Sequence, residues 1–225
     1  MIHVVLGGPD PALTMIDFSP NDLVVGVDRG AMRLLDQNFS VDLAVGDFDS
    51  VSEEEFNTIA SVARKVVRLK PEKDDTDTEY ALKMIADMNR SDDIMLYGAF
   101  KGRLDHTLSN IWLGYQPRFA SILTRLHYRS QRAIGCFFTP GTHLVTQYKN
   151  WKYLSFISLT PIKGLTLDGS KYPLDNVDLS YPMALISNEF LPSHPVNKEK
   201  GAEKSLQMTL SFEEGTILML QTIDD

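Results

Sequence analysis

The sequence predicts two joined folds: an α/β layer with a doubly wound, Rossmann-like parallel sheet over residues 1–127, then a C-terminal β-sandwich over residues 128–225. Three observations carry this. Through the first half, short runs of Val, Ile and Leu alternate with helix-spaced segments, as strands covered on both faces by helices require. Helical periodicity fades between Leu123 and Arg132. Beyond that point short strands succeed one another between glycine turns, the pattern of a sandwich of about 100 residues.

Ile2-His3-Val4-Val5-Leu6 reads as a buried strand ended by Gly7-Gly8-Pro9. Leu23 to Val27 is a second, running into Asp28-Arg29-Gly30, and Leu43 to Val45 a third, running into Gly46-Asp47-Phe48-Asp49-Ser50. Val66 to Leu69 is a fourth, followed by Lys73-Asp74-Asp75-Thr76-Asp77, and Ile94 to Tyr97 a fifth, followed by Gly98. Between them, Ala31, Leu34 and Leu35 share one helical face, and Ala81, Met84, Ile85 and Met88 another. Ser52 is placed to cap a helix whose first turn holds Glu53, Glu54 and Glu55, where acidic groups meet the positive helix end. In the second half, 136–138, 143–146, 153–159, 165–167, 206–210 and 216–220 read as strands, and 192–201 as an exposed loop.

The chain has 225 residues, 22 basic and 30 acidic, for a net charge of −8. That balance argues against non-specific nucleic-acid binding, which needs a basic footprint, and against docking on an anionic membrane. No apolar run reaches the roughly 18–20 residues of a membrane span, and the apolar run at residues 2–6 is too short for a signal-peptide core. One cysteine, Cys136, excludes an internal disulfide and a cysteine zinc cluster. The expectation is a cytoplasmic enzyme or ligand-binding domain.

Ligands of an open parallel sheet bind outside the carboxyl ends of its strands. Here those ends carry Asp28, Asp47, Asp49, Asp74, Asp75 and Asp77. Carboxylates converging on one rim repel unless a cation joins them, and Mg²⁺, a hard ion satisfied by one or two carboxylates plus substrate phosphates, suits them best. Two readings stand beside each other for the separate residues. Asp28 is either a ligand or a helix cap, and Asp74 with Asp77 either a ligand pair or a capping-box-like pair. Asp47 and Asp49, separated by Phe48 in a glycine-flanked turn, fit an ion better, with Phe48 packed below. The Gly98–His106 segment supplies positive charge: Arg103 for phosphate oxygens and a helix start with free amides, the helix carrying Leu108, Ile111 and Trp112. Asp105 either holds Arg103 or caps that helix, and His106 reads as structural.

Taken in this order, these segments resemble the thiamine pyrophosphokinase family. The resemblance continues with Pro140-Gly141-Thr142-His143, Gly164 to Gly169, Tyr172-Pro173-Leu174 and Ile186-Ser187-Asn188-Glu189. It implies an α/β catalytic domain joined to a thiamine-binding sandwich, and a homodimer whose active site lies between the α/β domain of one subunit and the sandwich of the other. It implies transfer of a pyrophosphoryl group from ATP to the hydroxyethyl oxygen of thiamine, giving thiamine diphosphate and AMP. It assigns Asp47, Asp49 and Asp77 to Mg²⁺ and phosphate, and Asp28, Lys73, Asp74, Thr76, Arg103 and Asp105 to the nucleotide and its phosphates. Ser187 and Asn188 fall to thiamine, with Asp77 and Arg103 as catalytic groups. Many relatives have glycine where this chain has Arg29, which either reaches the phosphates or points to solvent. Two other readings use the same residues: another Mg²⁺-dependent diphosphotransferase or phosphotransferase with a different hydroxyl acceptor, and a non-catalytic thiamine or nucleotide sensor.

Overall fold

Burial along whole strands, rather than on alternate residues, organises the first half of the chain. The computed structural model describes residues 1–9, 12–88, 90–148, 151–198 and 205–224. Strands β1 (Ile2–Val5), β2 (Leu23–Val27), β3 (Leu43–Gly46), β4 (Lys65–Arg68), β5 (Ile94–Tyr97) and β6 (Leu126–Arg129) are parallel, in the order β4-β3-β2-β1-β5-β6. Every residue of β1 and β3 is buried, as both faces being covered demands. Helices α1 (Arg29–Asp36), α2 (Glu53–Val62), α3 (Asp77–Asp87) and α4 (Leu104–Trp112) follow β2, β3, β4 and β5. Ala31 and Leu34 of α1 and Ile59 of α2 share a core with Val5, Val24 and Ala44.

Local signals set the helix starts. Ser52 and Glu55 form a reciprocal capping box on α2, Glu55 N to Ser52 Oγ at 3.2 Å and Ser52 N to Glu55 Oε2 at 2.7 Å. On α3 the same box is built by Thr76 and Glu79, not by Asp74 and Asp77: Thr76 alone offers a short side-chain oxygen in extended backbone three residues ahead of a buried glutamate. Each box contributes about 1 kcal/mol.

The two compact units are Met1–Gln131 and Arg132–Asp225. The division falls four residues beyond the expected 127/128 because Leu126–Arg129 pairs in parallel with β5 as β6, and so belongs to the first unit. One face of α4 carries exposed apolar side chains. Leu104 (71% exposed), Leu108 and Trp112 lie at the surface, while Asn110 is buried, its amide donating to Ala99 O at 3.1 Å.

The second unit is two antiparallel sheets. One is β12 (Met183–Asn188), β9 (Tyr153–Ser158), β14 (Ile217–Thr222) and β7 (Ala133–Phe138); the other is β11 (Leu174–Leu179), β10 (Ile162–Asp168), β13 (Gln207–Phe212) and β8 (Gly141–Thr146). Phe156 and Met219 of the first and Leu165, Leu167, Met208 and Leu210 of the second form one core, which makes the pair a sandwich. β11 and β12 escaped the sequence reading because both are edge strands with weak apolar alternation; β11 exposes Asp175, Asn176 and Asp178. The 192–201 segment is not wholly an exposed loop. Asn197 is buried, donating to Leu191 O and Gln207 O and accepting from Gln207 N, which ties it to β13, while residues 199–201 lie outside the described residues. Among the described residues no helix is long and apolar enough to cross a membrane.

Candidate active site

The strand order reverses between β1 and β5, so the crevice for a ligand opens at the carboxyl ends of those strands. The loops leaving them touch: a Cβ on Gly8 would lie 2.1 Å from Gly98 O. A Cβ on Gly30 would lie 1.9 Å from Val5 O, so α1 also starts hard against β1. These approaches leave no room for a side chain, and they draw the loops after β1, β2 and β5 to one rim.

Two residues on this rim hold unusual backbone. Asp28 has φ 51°, ψ −126°, and Phe48 has φ 61°. Non-glycine residues adopt positive φ at a cost of the order of 1 kcal/mol or more, which tertiary packing must hold in place. Phe48 is buried and packs on Phe56, ring centroids 5.0 Å apart, as the turn sequence led us to expect. Asp28 occupies the first capping position of α1, but its side chain makes no capping hydrogen bond. Instead Asp28, Asp47 and Asp49 each offer one carboxylate oxygen within 4.8 Å of the others. Asp28 Oδ2 accepts from Ser50 Oγ, whereas Asp28 Oδ1 is buried without a hydrogen-bond partner among the described residues.

Burial pushes the Asp28 carboxyl above the usual range, and the charges of Asp49 and Asp47 add to this against the Ser50 hydrogen bond. Like charges at this spacing repel by roughly 3 kcal/mol per pair even at an effective dielectric near 20. A hard divalent cation removes both costs at once, so this donor set, three carboxylates with a buried free oxygen, fits Mg²⁺.

Lys73 and Asp77 sit beside this group. Lys73 Nζ is 2.8 Å from Asp47 Oδ2 and 3.1 Å from Asp77 Oδ1. Burial alone would raise Asp47, but Lys73 and the Asp49 N–H outweigh it and leave its carboxyl below the usual range. Asp77 goes the other way: burial raises it, the Asp47 charge adds, and Lys73 only partly opposes them. The expected set Asp47, Asp49 and Asp77 is therefore divided by an ammonium, and Asp28 stands in the third place of the converging group. Thr76 is committed to its cap and Asp74 is exposed.

A brace that the sequence did not disclose holds this segment. Glu79 is buried and accepts from Gln116 Nε2 at 2.6 Å; Arg118 Nη2 lies 2.9 Å from it, and Arg118 also pairs with Asp75. Nothing in the spacing of Gln116 and Arg118 marks them, since the contacts form only in the fold.

Arg103 is 75% exposed and clamped to Asp105, Nε to Oδ1 at 3.2 Å and Nη2 to Oδ2 at 2.6 Å. Asp105 thus holds the arginine and, although it is not the N-cap residue, also accepts from His106 N in the first turn of α4 at 3.1 Å; His106 is exposed.

In the sandwich, Ser187 is exposed at φ 60°, beside a register shift between Leu185 and Asn188. Asn188 is buried and its amide is engaged: Oδ1 accepts from Tyr172 N and Glu189 N, both at 2.9 Å, and Nδ2 donates to Tyr172 O at 3.0 Å. Asn188 therefore grips both backbone groups of Tyr172, whose ring is 59% exposed.

Two family profiles match the chain. The profile described as thiamin pyrophosphokinase, catalytic domain, matches residues 18–125, and that described as thiamin pyrophosphokinase, vitamin B1 binding domain, matches residues 142–199. The chain is 34% identical over 228 aligned residues to a thiamine pyrophosphokinase of Bacillus subtilis (strain 168), covering 99% of both chains. Among solved structures it is similar to a thiamin pyrophosphokinase family protein from Enterococcus faecalis, with TM-score 0.86, 33% identity and coverage of 100% and 99%. It is similar also to a thiamine pyrophosphokinase structure from Bacillus subtilis, with TM-score 0.84, 32% identity and the same coverage.

Proposed function

The chain belongs to the thiamine pyrophosphokinase family, enzymes that transfer a pyrophosphoryl group from ATP to thiamine, and we propose that its acidic rim is the place where it does so with Mg²⁺. The observation that carries this reading is the convergence of Asp28, Asp47 and Asp49 around a buried carboxylate oxygen that has no hydrogen-bond partner among the described residues. Mg²⁺ held by Asp28, Asp47 and Asp49, with Asp77 beside them across Lys73, would supply charge neutralisation for the ATP phosphates.

The chain's own residues supply the rest. Lys73, already between two carboxylates, is placed to transfer its ammonium to phosphate oxygens, which frees Asp77. Arg103 leaves Asp105 for a second phosphate, an exchange eased by the exposure of both. The thiamine hydroxyl oxygen attacks the β-phosphorus as the bond to the α-phosphate oxygen breaks and AMP leaves. Asp77 accepts the hydroxyl proton late in the transfer, and its raised pKa suits that role. Asp74, Thr76 and Asp105 shape the phosphate side. On the sandwich, Ser187 and the face of Tyr172, held by Asn188, meet thiamine, whose cationic ring favours an aromatic surface.

The working form we propose is a cytoplasmic homodimer, each rim completed by the partner's sandwich. The family resemblance supports it, and the exposed apolar residues Leu104, Leu108 and Trp112 on α4 are consistent with a covered surface. The direct test is incubation with ATP, Mg²⁺ and thiamine. AMP and thiamine diphosphate should rise together in equal amounts; ADP with thiamine monophosphate, or no product, would overturn the reading.

A further inference from the structure

Arg29 opens α1 directly after Asp28. It neither points idly to solvent nor stands as an unattached cation. Its Nη1 donates to Ser50 O at 2.6 Å, and Nη2 donates to Glu55 Oε1 at 3.3 Å. Ser50 Oγ in turn donates to Asp28 Oδ2, which closes a ring through the Asp28–Arg29 peptide. Glu55 is itself anchored, since its other oxygen accepts from Ser52 N at 2.7 Å in the capping box of α2. Arg29 also packs toward the β1 loop: a Cβ on Gly7 would meet Arg29 Cβ at 3.5 Å. One side chain at the end of the β2 loop therefore joins that loop to the segment after β3.

We propose that Arg29 is a positioning residue that sets the affinity of the acidic rim for a divalent cation. The proposal rests on the rim being the metal site. Without a cation the three carboxylates push their loops apart, and any spreading must be reversed before an ion binds. Arg29 resists it at Ser50, the residue that touches Asp28 and follows Asp49 in the chain. The short bond to a carbonyl is charge-assisted, and a planar guanidinium reaches Ser50 and Glu55 together, which a point-charge ammonium does not. The plainer alternative is a half-exposed Arg29–Glu55 ion pair of little consequence.

The two are separated by Mn²⁺ binding to the nucleotide-free protein, followed by electron paramagnetic resonance of the free ion. Wild type, Arg29→Ala, Arg29→Lys, Ser50→Ala, the Arg29→Ala/Ser50→Ala pair and Asp47→Asn are compared, each checked for folding by near-UV circular dichroism. Loss of a residue that orients metal ligands weakens metal binding by about 10–100-fold. Arg29→Ala should fall about tenfold, Arg29→Lys should recover little, and the double variant should bind no worse than the weaker single one. If Arg29→Ala does not fold, Arg29→Lys carries the decision. Wild-type Mn²⁺ affinity in the folded arginine variants, or full additivity with Ser50→Ala, would overturn the role of Arg29 and leave the rim intact. Wild-type affinity in Asp47→Asn would remove the rim as the metal site, and this proposal with it.

Discussion

The two ends of the parallel sheet use the same residue type to opposite effect. At the amino end, Asp22 accepts from the Met1 amino group at 2.6 Å, from Ser19 N at 2.9 Å, and meets His3 Nε2 at 3.1 Å. Asp42 accepts from Val24 N at 2.9 Å and pairs with Arg64 at 3.1 Å, and Asp92 pairs with Arg90 at 2.9 Å. Burial works against the Asp22 carboxylate, but the Met1 amine, Ser19 and His3 outweigh it and hold its pKa at about 2. At the carboxyl end, Asp28 and Asp77 are raised by burial; Asp77 Oδ1 has only the Lys73 ammonium at 3.1 Å, and Asp28 Oδ1 is buried without a hydrogen-bond partner among the described residues. The amino end is finished by folding. At the carboxyl end Lys73 answers Asp47 and Asp77 but leaves the Asp28 oxygen unmatched among the described residues, as the cation site we propose there requires.

The largest effect that tests this contrast is metal removal. Excess chelator should abolish turnover and Mg²⁺ should restore it, while the unfolding temperature of the amino end's partner-rich core changes little; full activity in chelator would erase the distinction. Next are Asp47→Asn and Asp49→Asn, which keep shape and remove charge. Losing a metal ligand should cost at least about 2–4 kcal/mol of transition-state stabilisation, roughly 10²–10³ in rate, without loss of fold. Wild-type rates in both would make the rim as inert as the amino end.

A third test asks what completes the rim. Asp49→Asn and Tyr172→Ala are chosen for co-refolding because Tyr172 is exposed, whereas Asn188 holds backbone. Where sites are shared between subunits, one site of each mixed dimer is intact, and activity should return to about one quarter of wild type under random pairing. Heterodimers that stay inactive would confine each site to its own chain.

The smallest effects are on stability, and they should differ in sign. Asp28→Asn removes one of the repelling charges and keeps the side-chain shape, and should stabilise the chelated protein by about 1 kcal/mol while lowering activity. Asp22→Asn should lower the unfolding midpoint at pH 7. The folded pKa of Asp22 is depressed from 3.8 to about 2, so its contribution is complete above 3.8 and disappears as pH falls through about 2. Melting curves of wild type and Asp22→Asn should therefore converge over that interval; a gap that persists at lower pH would assign the loss to packing.

Much of this was legible in the sequence, for local reasons. Continuous apolar runs marked β1, β2, β3 and β5, Ser52 marked the start of α2, and Gly46-Asp47-Phe48-Asp49 marked a turn with Phe48 beneath it. β6 was illegible because Leu126-His127-Tyr128-Arg129 alternates in polarity, and both Tyr128 and Arg129 are nonetheless buried. Asn188 resembled a ligand-facing residue, but its amide is engaged by the backbone of Tyr172 and Glu189.

By itself the sequence determined the alternation of strand and helix, the caps, the glycines at close approaches and the placing of carboxylates at strand ends, because each depends on neighbours within a few residues. Only the tertiary structure decided which carboxylates converge, that Lys73 stands between Asp47 and Asp77, that Asp105 takes Arg103, and that Arg29 binds Ser50 and Glu55. Those outcomes are set by distances of a few ångströms between loops far apart in the chain. Electrostatic energy changes steeply over such distances, and residue order alone leaves them unspecified.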